Sequence, residues 1–164
     1  MIVDGSSTPA GIRVGRTSDA AALRHTCYPG ASVELIRQWL DPAEETDRVL
    51  LVATDDADVA IGNCTLTRRT HRLERHRAEI GGFVIGPAHR GMGVARRLVN
   101  ACAVYARRNW GSETLELGVR GGTHAEGAYH GLGFVEWARM PNGLHDRDRA
   151  YDDVRLYRPI DREV

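Results

Sequence analysis

The sequence has 164 residues, no formal net charge, and 22 basic residues, all of them arginine. The zero net charge argues against a general nucleic-acid-binding protein, and the lack of lysine excludes both a Walker-type phosphate loop and a Schiff-base lysine. The length fits a single domain, which we assign to residues 11–160, after a flexible N-terminal segment of residues 1–10.

The three cysteines, Cys27, Cys64 and Cys102, are far apart and form no CxxC pair, so we expect neither a disulfide framework nor a metal site. We interpret Cys64 and Cys102 as packing residues. The N-terminus lacks a secretory signal, and no apolar run approaches the ~20 residues that cross a bilayer. A reducing, cytoplasmic location without a membrane partner is therefore the prediction.

The first half of the chain predicts a strand, two helices and then three strands. Residues 12–15 have strand character, a short helix covers residues 20–27, and a second helix begins after Ser32 and ends at Asp41. The next three strands are predicted at residues 48–53, 59–67 and 78–85, the first two joined as a hairpin. Adjacent Gly81 and Gly82 in the last of these strands indicate a bulge or a close backbone approach.

The second half predicts a long helix, a strand, a short helix and a closing hairpin. The long helix begins at Gly93 and ends at Gly111, with its apolar residues on one face. A strand at 115–119, a helix at 124–130 and strands at 134–140 and 154–157 follow, with a Pro-Asn-Gly loop between the last two. This order is an α/β arrangement without regular alternation, which excludes a doubly wound fold.

The loop before the long helix, Arg90-Gly91-Met92-Gly93-Val94-Ala95, predicts a phosphate-binding site. The first N–H groups of a helix are unpaired and carry a partial positive charge, and glycines let a phosphate approach them. A dinucleotide fingerprint does not fit, because Arg96 stands where that motif requires glycine or alanine. A plain structural turn is the other interpretation of these glycines.

This loop resembles the signature of the GNAT superfamily of N-acetyltransferases, Arg/Gln-x-x-Gly-x-Gly/Ala, which Arg90-x-x-Gly93-x-Ala95 matches. A second family motif, Tyr-x-x-x-Gly-Phe, is matched from Tyr129 to Phe134. The resemblance covers most of the chain and implies the GNAT fold, a mixed, mostly antiparallel seven-stranded sheet with about four helices, splayed between strands four and five. The segment after Phe134 is most similar to small-molecule members such as the tabtoxin-resistance acetyltransferases.

The resemblance implies an enzyme that moves an acetyl group from acetyl-CoA to a primary amine, by direct attack and without a metal. The amine would belong to a small molecule such as an antibiotic, a toxin or an amino-acid-like metabolite. Phe83, Val84 and Ile85 would offer backbone groups to the pantetheine and thioester. Backbone amides of Arg90, Gly91, Met92, Gly93, Val94 and Ala95 would hold the pyrophosphate. Gly122 stands where the family often places an asparagine that contacts the cofactor, and Thr123 or His124 could replace it.

The resemblance gives Tyr129 the role of protonating the coenzyme A sulfur; a core aromatic with a satisfied hydroxyl is the alternative. Glu79 is the candidate general base, because it shares the parity of Phe83 and Ile85 and so faces the cofactor side, unless a bulge at Gly81–Gly82 reverses its face. An ordinary charged residue at a strand end is equally compatible with Glu79. His76, His124 and His130 are the fallback bases, and Tyr28, Glu79 and Trp137 are the candidate acceptor-binding residues.

Several alternatives stay open at this point. The acceptor could be a protein N-terminus, or the chain could be a non-catalytic acyl-CoA-binding module. The run of five arginines within residues 68–77 is interpreted as a solvated turn, with a contact to an anionic acceptor as the alternative. A homodimer is compatible with the family, whereas the acyl-chain preference and the acceptor have no signal in the sequence.

Overall fold

The computed structural model describes residues 11–41 and 47–164, which build a seven-stranded mixed sheet with four α-helices packed on it. The strands are β1 Ile12–Val14, β2 Arg48–Thr54, β3 Ala60–Arg68, β4 Arg77–Ile85, β5 Thr114–Arg120, β6 Val135–Asp146 and β7 Arg149–Pro159. The helices are α1 Ala20–Thr26, α2 Val33–Leu40, α3 Val94–Trp110 and α4 His124–Gly131. Residues 1–10, predicted as a flexible lead-in, lie outside the described residues.

The sheet order is β1-β2-β3-β4-β5-β7-β6, and every neighbouring pair is antiparallel except β4 and β5. Alternation along the strands gives the sheet two apolar faces. We call the face under α1 and α2 the α1 face; its core includes Leu23, Ile36 and Val52. The opposite face, which we call the α3 face, carries the larger core, which includes Leu98 and Leu156.

Local sequence explains where the two longer packed helices begin and end. The Ser32 hydroxyl accepts a hydrogen bond from the Leu35 N–H at 3.1 Å, which caps α2. Helix α3 lies between two glycines in the left-handed region, Gly93 with φ of 76° and Gly111 with φ of 66°. Such a conformation favours glycine because a Cβ atom is strained there.

Strands β4 and β5 separate after a short parallel contact. They pair only from Arg77 with Thr114 to Glu79 with Glu116, and beyond these residues the sheet opens. A bulge in β4 coincides with the opening, because Thr65 pairs with Gly81 whereas Asn63 pairs with Val84. The predicted splay between strands four and five is confirmed.

The bulge also reverses which side chains face which side of the sheet. Ala78 and Ile80 before it, and Phe83 and Ile85 after it, all contact the core of the α3 face. Glu79 therefore points to the α1 face and not to the face of Phe83 and Ile85, because the bulge named as the exception to that prediction, at Gly81–Gly82, is present. The physical reason is the extra residue at Gly82, which has a φ of 52° and shifts the alternation by one.

The closing hairpin is longer than predicted. The Pro-Asn-Gly segment, residues 141–143, was expected to be the loop, but it lies within β6 as an irregularity between Met140 and Leu144. The Asp152 carboxylate accepts a hydrogen bond from the Asn142 N–H at 3.1 Å, which holds the irregular backbone. Because β6 is an edge strand, a proline costs no central ladder bond, and the turn falls instead between Asp146 and Arg149.

Candidate active site

A cavity of about 540 Å³ lies where the end of β4 meets the start of α3. Eight of the nine residues predicted to contact the cofactor line it: Phe83, Val84, Ile85, Arg90, Gly91, Gly93, Val94 and Ala95. The ninth, Met92, is not among the lining residues, and its side chain is 67% exposed. The cavity therefore gathers the end of the splayed strand and the predicted phosphate loop into one site.

The phosphate loop owes its shape to two glycines. Gly91 and Gly93 each have a φ of 76°, and a Cβ added to either would meet no atom within 4 Å. The backbone conformation, rather than lack of space, is thus what requires glycine. Beyond Gly93, the unpaired first N–H groups of α3 border the cavity at Val94 and Ala95. This arrangement fits a pyrophosphate, with the helix dipole favouring negative charge.

Three further cationic or titratable residues line the cavity: His89 and Arg96, to which the sequence assigned no role in the site, and His124, which it offered as a replacement for the family asparagine and as a fallback base. His124 lies two residues after Gly122, the position at which the family often places a cofactor-contacting asparagine. The Gly122 N–H donates to a Glu126 carboxylate oxygen at 2.6 Å, and the Thr123 hydroxyl donates to the Arg120 carbonyl at 2.7 Å. Both groups already serve the start of α4, so His124 is the side chain at this position that borders the cavity.

Tyr129 packs beside the cavity rather than in its lining. Its ring makes edge contacts with Phe83 and Phe134, each with ring centroids 5.9 Å apart. Burial raises the pKa of its phenol to about 12, so the hydroxyl stays protonated at neutral pH. Cys64 and Cys102 lie in the same core, fully buried and with sulfurs 3.3 Å apart, in agreement with the packing role predicted for them.

The α1 face of the splay carries the residues predicted to meet the acceptor. Glu79 lies 3.3 Å from Arg69 and 3.7 Å from Arg155, measured between carboxylate oxygens and guanidinium nitrogens. Trp137 lines the same narrow cleft, of only about 10 Å³, as Glu79 and Arg155, and the wider access to the splay lies over the exposed Gly81 beside it. We call this cleft, together with the adjoining exposed backbone of Gly81 and Gly118, the acceptor mouth.

Tyr28 lies by the bulge on the other side of the mouth. Its hydroxyl donates to the Gly82 carbonyl at 3.4 Å, and its ring makes an edge contact with Trp39, with centroids 5.3 Å apart. Burial raises the pKa of the Tyr28 phenol, so it remains a neutral hydrogen-bonding group. The aromatic rings of Tyr28 and Trp39 thus lie on one side of the opening between β4 and β5. The charged side chains of Glu79, Arg69 and Arg155 lie on the other side.

A buried acid beside the mouth was missed from the sequence. Glu116, 4% exposed, accepts from Arg69 Nε at 2.6 Å and from Arg77 Nε at 2.7 Å. The interpretation of the arginine run as a solvated turn is therefore wrong for Arg69 and Arg77. Glu116 lies on β5, far in sequence from residues 68–77. No local sequence pattern therefore indicates that it pairs with two of these arginines.

The model of the acetyltransferase (GNAT) family matches residues 18–134, and the chain belongs to this family. Similar solved structures include the yncA protein of Salmonella typhimurium with its cofactor acetyl-CoA (22% identity, 93% of this chain and 95% of that one, TM-score 0.74). A ribosomal-protein-alanine N-acetyltransferase from Brucella melitensis has 22% identity over 90% and 98%, with TM-score 0.74. A phosphinothricin acetyltransferase from Sinorhizobium meliloti in complex with AcCoA has 16% identity over 91% and 87%, with TM-score 0.74.

A comparison with curated proteins finds no significant match. The predicted GNAT fold is confirmed, and the family to which the chain belongs is one of acetyltransferases. The similarity to tabtoxin-resistance members stays a prediction. Within the described part of the chain, no helix is long and apolar enough to span a membrane.

Proposed function

We propose that this enzyme acetylates the primary amine of a small molecule by direct attack on the thioester. The observation that carries the proposal is the pair of openings at one splay. The cavity of the phosphate loop lies on one side, and the acceptor mouth with Glu79 lies on the other. A cosubstrate and an amine entering from opposite faces would meet between β4 and β5 without a covalent enzyme intermediate.

We assign cofactor binding to the loop and to the separated strand. The backbone amides of Gly93, Val94 and Ala95 hold the pyrophosphate at the start of α3. Phe83 and Ile85 lie where β5 no longer pairs with β4 and so can offer backbone groups, although the Ile85 carbonyl accepts a hydrogen bond of 3.3 Å from Arg90 Nε. Bound acetyl-CoA supplies an activated acetyl group as a thioester. The chain itself positions that group and manages two protons.

We assign the proton for the departing thiolate to Tyr129. Its pKa of about 12 keeps the phenol protonated, and a neutral donor leaves the local charge unchanged before transfer. Its edge contact with Phe83 fixes the ring beside the strand that borders the cavity. A general acid held in this way typically contributes about 10²–10⁴-fold to a rate.

We assign the proton of the attacking ammonium to Glu79, directly or through a water. An amine attacks only in its neutral form, so a carboxylate at the amine's entrance has a defined role. Glu79 suits it because its two arginine contacts, at 3.3 and 3.7 Å, are longer than an ordinary hydrogen bond.

The test is a coenzyme-release assay with acetyl-CoA and a panel of amines, aminoglycosides, amino acids and peptides, with calorimetric binding of acetyl-CoA measured in parallel. We expect binding and turnover with at least one small amine. Turnover confined to peptides would support a protein N-terminal acetyltransferase instead. Binding without turnover on any acceptor would support a non-catalytic acyl-CoA-binding module, and no binding would contradict the site itself.

A further inference from the structure

One arginine of the acceptor mouth, Arg155, extends its guanidinium over β5 at Gly118, a residue without a side chain. Arg155 pairs with Gly118 between β7 and β5. A Cβ atom on Gly118 would lie 3.3 Å from Arg155 Nη1 and 3.4 Å from Cζ. The guanidinium therefore rests directly over the backbone of β5, where most other residues would displace it.

This position faces the place where the sheet opens. The last pair between β4 and β5 joins Glu79 to Glu116, and two residues further along each strand are Gly81 and Gly118, both exposed. A Cβ on Gly81 would meet no atom within 4 Å. An amine that reaches the splay from the α1 face thus finds open space over Gly81 and the Arg155 guanidinium on the other side.

The charged side chains of the acceptor mouth differ in how closely they are paired. Arg69 and Arg77 bind the buried Glu116 closely, which uses both of its carboxylate oxygens. Arg155 contacts Asp153 at 2.9 Å and Glu79 only at 3.7 Å, and its side chain remains 41% exposed. Arg155 thus keeps an exposed part of its guanidinium although it donates to Asp153, and Glu79 beside it has only contacts of 3.3 Å or longer to guanidinium groups.

A polycation is poorly matched to this pair, because a second positive charge on the acceptor would lie close to the Arg155 guanidinium, 3.7 Å from Glu79. Acids elsewhere in the closing hairpin do not add to the mouth. Asp146 pairs with Arg120 at 2.9 Å and Asp152 with Arg139 at 3.0 Å. An acceptor that brings its own negative charge is better matched, since a guanidinium binds a carboxylate through two parallel hydrogen bonds.

We propose that the acceptor is an amino-acid-like molecule, with an anionic group near its amine, and that Arg155 binds the anionic group while Glu79 receives the amine. Arg155 acts here as a specificity residue. This inference rests on the proposed transfer to a small-molecule amine and narrows its substrate class. It involves no chemistry beyond that transfer.

The experiment compares amino acids with their carboxamides as acceptors, a change that removes the negative charge, and measures how Arg155→Gln changes kcat/KM on each, so that the different basicity of the two amines cancels. We expect the wild-type enzyme to prefer the acids at least tenfold in kcat/KM. Arg155→Gln should raise KM for the acids about ten- to hundredfold, the effect of one hydrogen bond to a charged group, and should leave the carboxamides unchanged. Arg37→Gln, which removes an exposed arginine paired with Glu34 at 2.9 Å on α2, is the matched control and should change neither.

A second variant keeps the arginine. Gly118→Ala places a methyl group against the guanidinium and should reduce the preference for acids partially, without changing calorimetric binding of acetyl-CoA. Preference for carboxamides or polyamines in the wild type, or an equal loss on both acceptor types in Arg155→Gln, would overturn the inference while the proposed transfer stands. Absence of turnover with every amine would overturn the proposed transfer itself, and this inference with it.

Discussion

Glu79 and Phe83 lie four residues apart on β4, yet their side chains leave opposite faces of the sheet. One extra residue at Gly82 produces this reversal. The strand can therefore present backbone and aromatic groups to the cavity of the phosphate loop and a carboxylate to the acceptor mouth. A regular strand would place both side chains on the same face, so the division of the site into two openings depends on the bulge.

The first prediction concerns the proton donor. Tyr129→Phe removes the hydroxyl while keeping the edge contacts with Phe83 and Phe134, so we expect kcat to fall about 10²-fold with little change in acetyl-CoA affinity. Tyr105→Phe is the matched control, because Tyr105 is also half-buried and makes an edge contact with Trp110. Undiminished turnover in Tyr129→Phe, on a confirmed acceptor, would rule out the assignment.

The pH dependence of kcat follows from the same residue. Burial raises the pKa of Tyr129 to about 12, so the phenol remains protonated well above the ordinary tyrosine pKa of about 10. On the alkaline side, we expect no loss of kcat from this group up to about pH 10. A stopped coenzyme-release assay between pH 7 and about 10 tests this. A fall centred on pH 8 or 9 that disappears in Tyr129→Phe would contradict it.

Glu79→Gln tests the candidate base. The substitution keeps the size and polarity of the side chain but removes its ability to accept a proton, so we expect kcat/KM for the acceptor to fall about 10²-fold. Acetyl-CoA binding should be unchanged, because Glu79 lies on the opposite face from the cavity. Glu74→Gln, which alters an acid paired with Arg77 at 3.1 Å outside the mouth, is the control. Equal effects of the two substitutions would favour an ordinary charged role for Glu79.

The elements and the two motifs could be predicted because their signals are local. Apolar periodicity and flanking glycine, proline or capping residues mark the elements from β1 to α4, and the loop from Arg90 to Ala95 is contiguous, whereas the mostly exposed residues of β6 and β7 gave the closing hairpin the wrong length. The adjacent glycines Gly81 and Gly82 indicated the bulge that would reverse the face of Glu79, but whether it forms depends on the register of β4 against β3. The partners of Glu116 and the position of Arg155 over Gly118 arise from strands far apart in sequence, so no spacing reveals them.

The glycine that begins α3 gives a prediction about both binding and stability. Gly93→Ala places a Cβ in the left-handed region, at a φ of 76°, which costs roughly 1–2 kcal/mol. We expect calorimetric affinity for acetyl-CoA to fall about tenfold if the loop relaxes away from its binding conformation. Gly127→Ala is the control: Gly127 lies inside α4 with open space around it, so alanine should be neutral or stabilising there. Wild-type affinity in Gly93→Ala would contradict the role of the loop.

The buried acid on β5 gives a prediction about folding. Glu116→Ala leaves Arg69 and Arg77 without their shared buried partner; because both arginines are partly exposed and keep Glu79 and Glu74 as partners, we expect a cost of about 1.5–3 kcal/mol, the range for losing hydrogen bonds to a charged group. Urea unfolding at neutral pH measures the change in the free energy of unfolding. Glu34→Ala removes an exposed pair with Arg37 and should cost less than about 1 kcal/mol. Similar losses for the two variants would show that burial of Glu116 adds nothing.

The last prediction concerns Asp19, a buried carboxylate just before α1, and the pH dependence of the stability that it provides. Asp19 is 6% exposed; it accepts from both terminal nitrogens of Arg13 at 2.8 Å and from the Arg16 N–H at 2.7 Å. Burial opposes ionisation of Asp19, but the hydrogen bonds from Arg13 and Arg16 outweigh it and lower the pKa of the carboxyl. Because the pKa of Asp19 is lower in the folded state than in the unfolded state, its ionised carboxylate stabilises the fold. This stabilisation is complete above the pKa of an unfolded aspartate, about 3.9, and is lost as the pH falls through the lower pKa of the folded state.

Asp19→Asn should therefore lower the free energy of unfolding at pH 7, and the difference from the wild type should shrink below about pH 4, where the wild-type carboxyl begins to take up a proton. Urea unfolding at pH 7, 5 and 3 measures this difference. Asp58→Asn is the matched control, because Asp58 also pairs with Arg13 at 2.8 Å but its side chain is 58% exposed; its effect should stay small at each pH. A difference for Asp19→Asn that stays constant across the three pH values would mean that the carboxyl stabilises the fold through its shape rather than its charge.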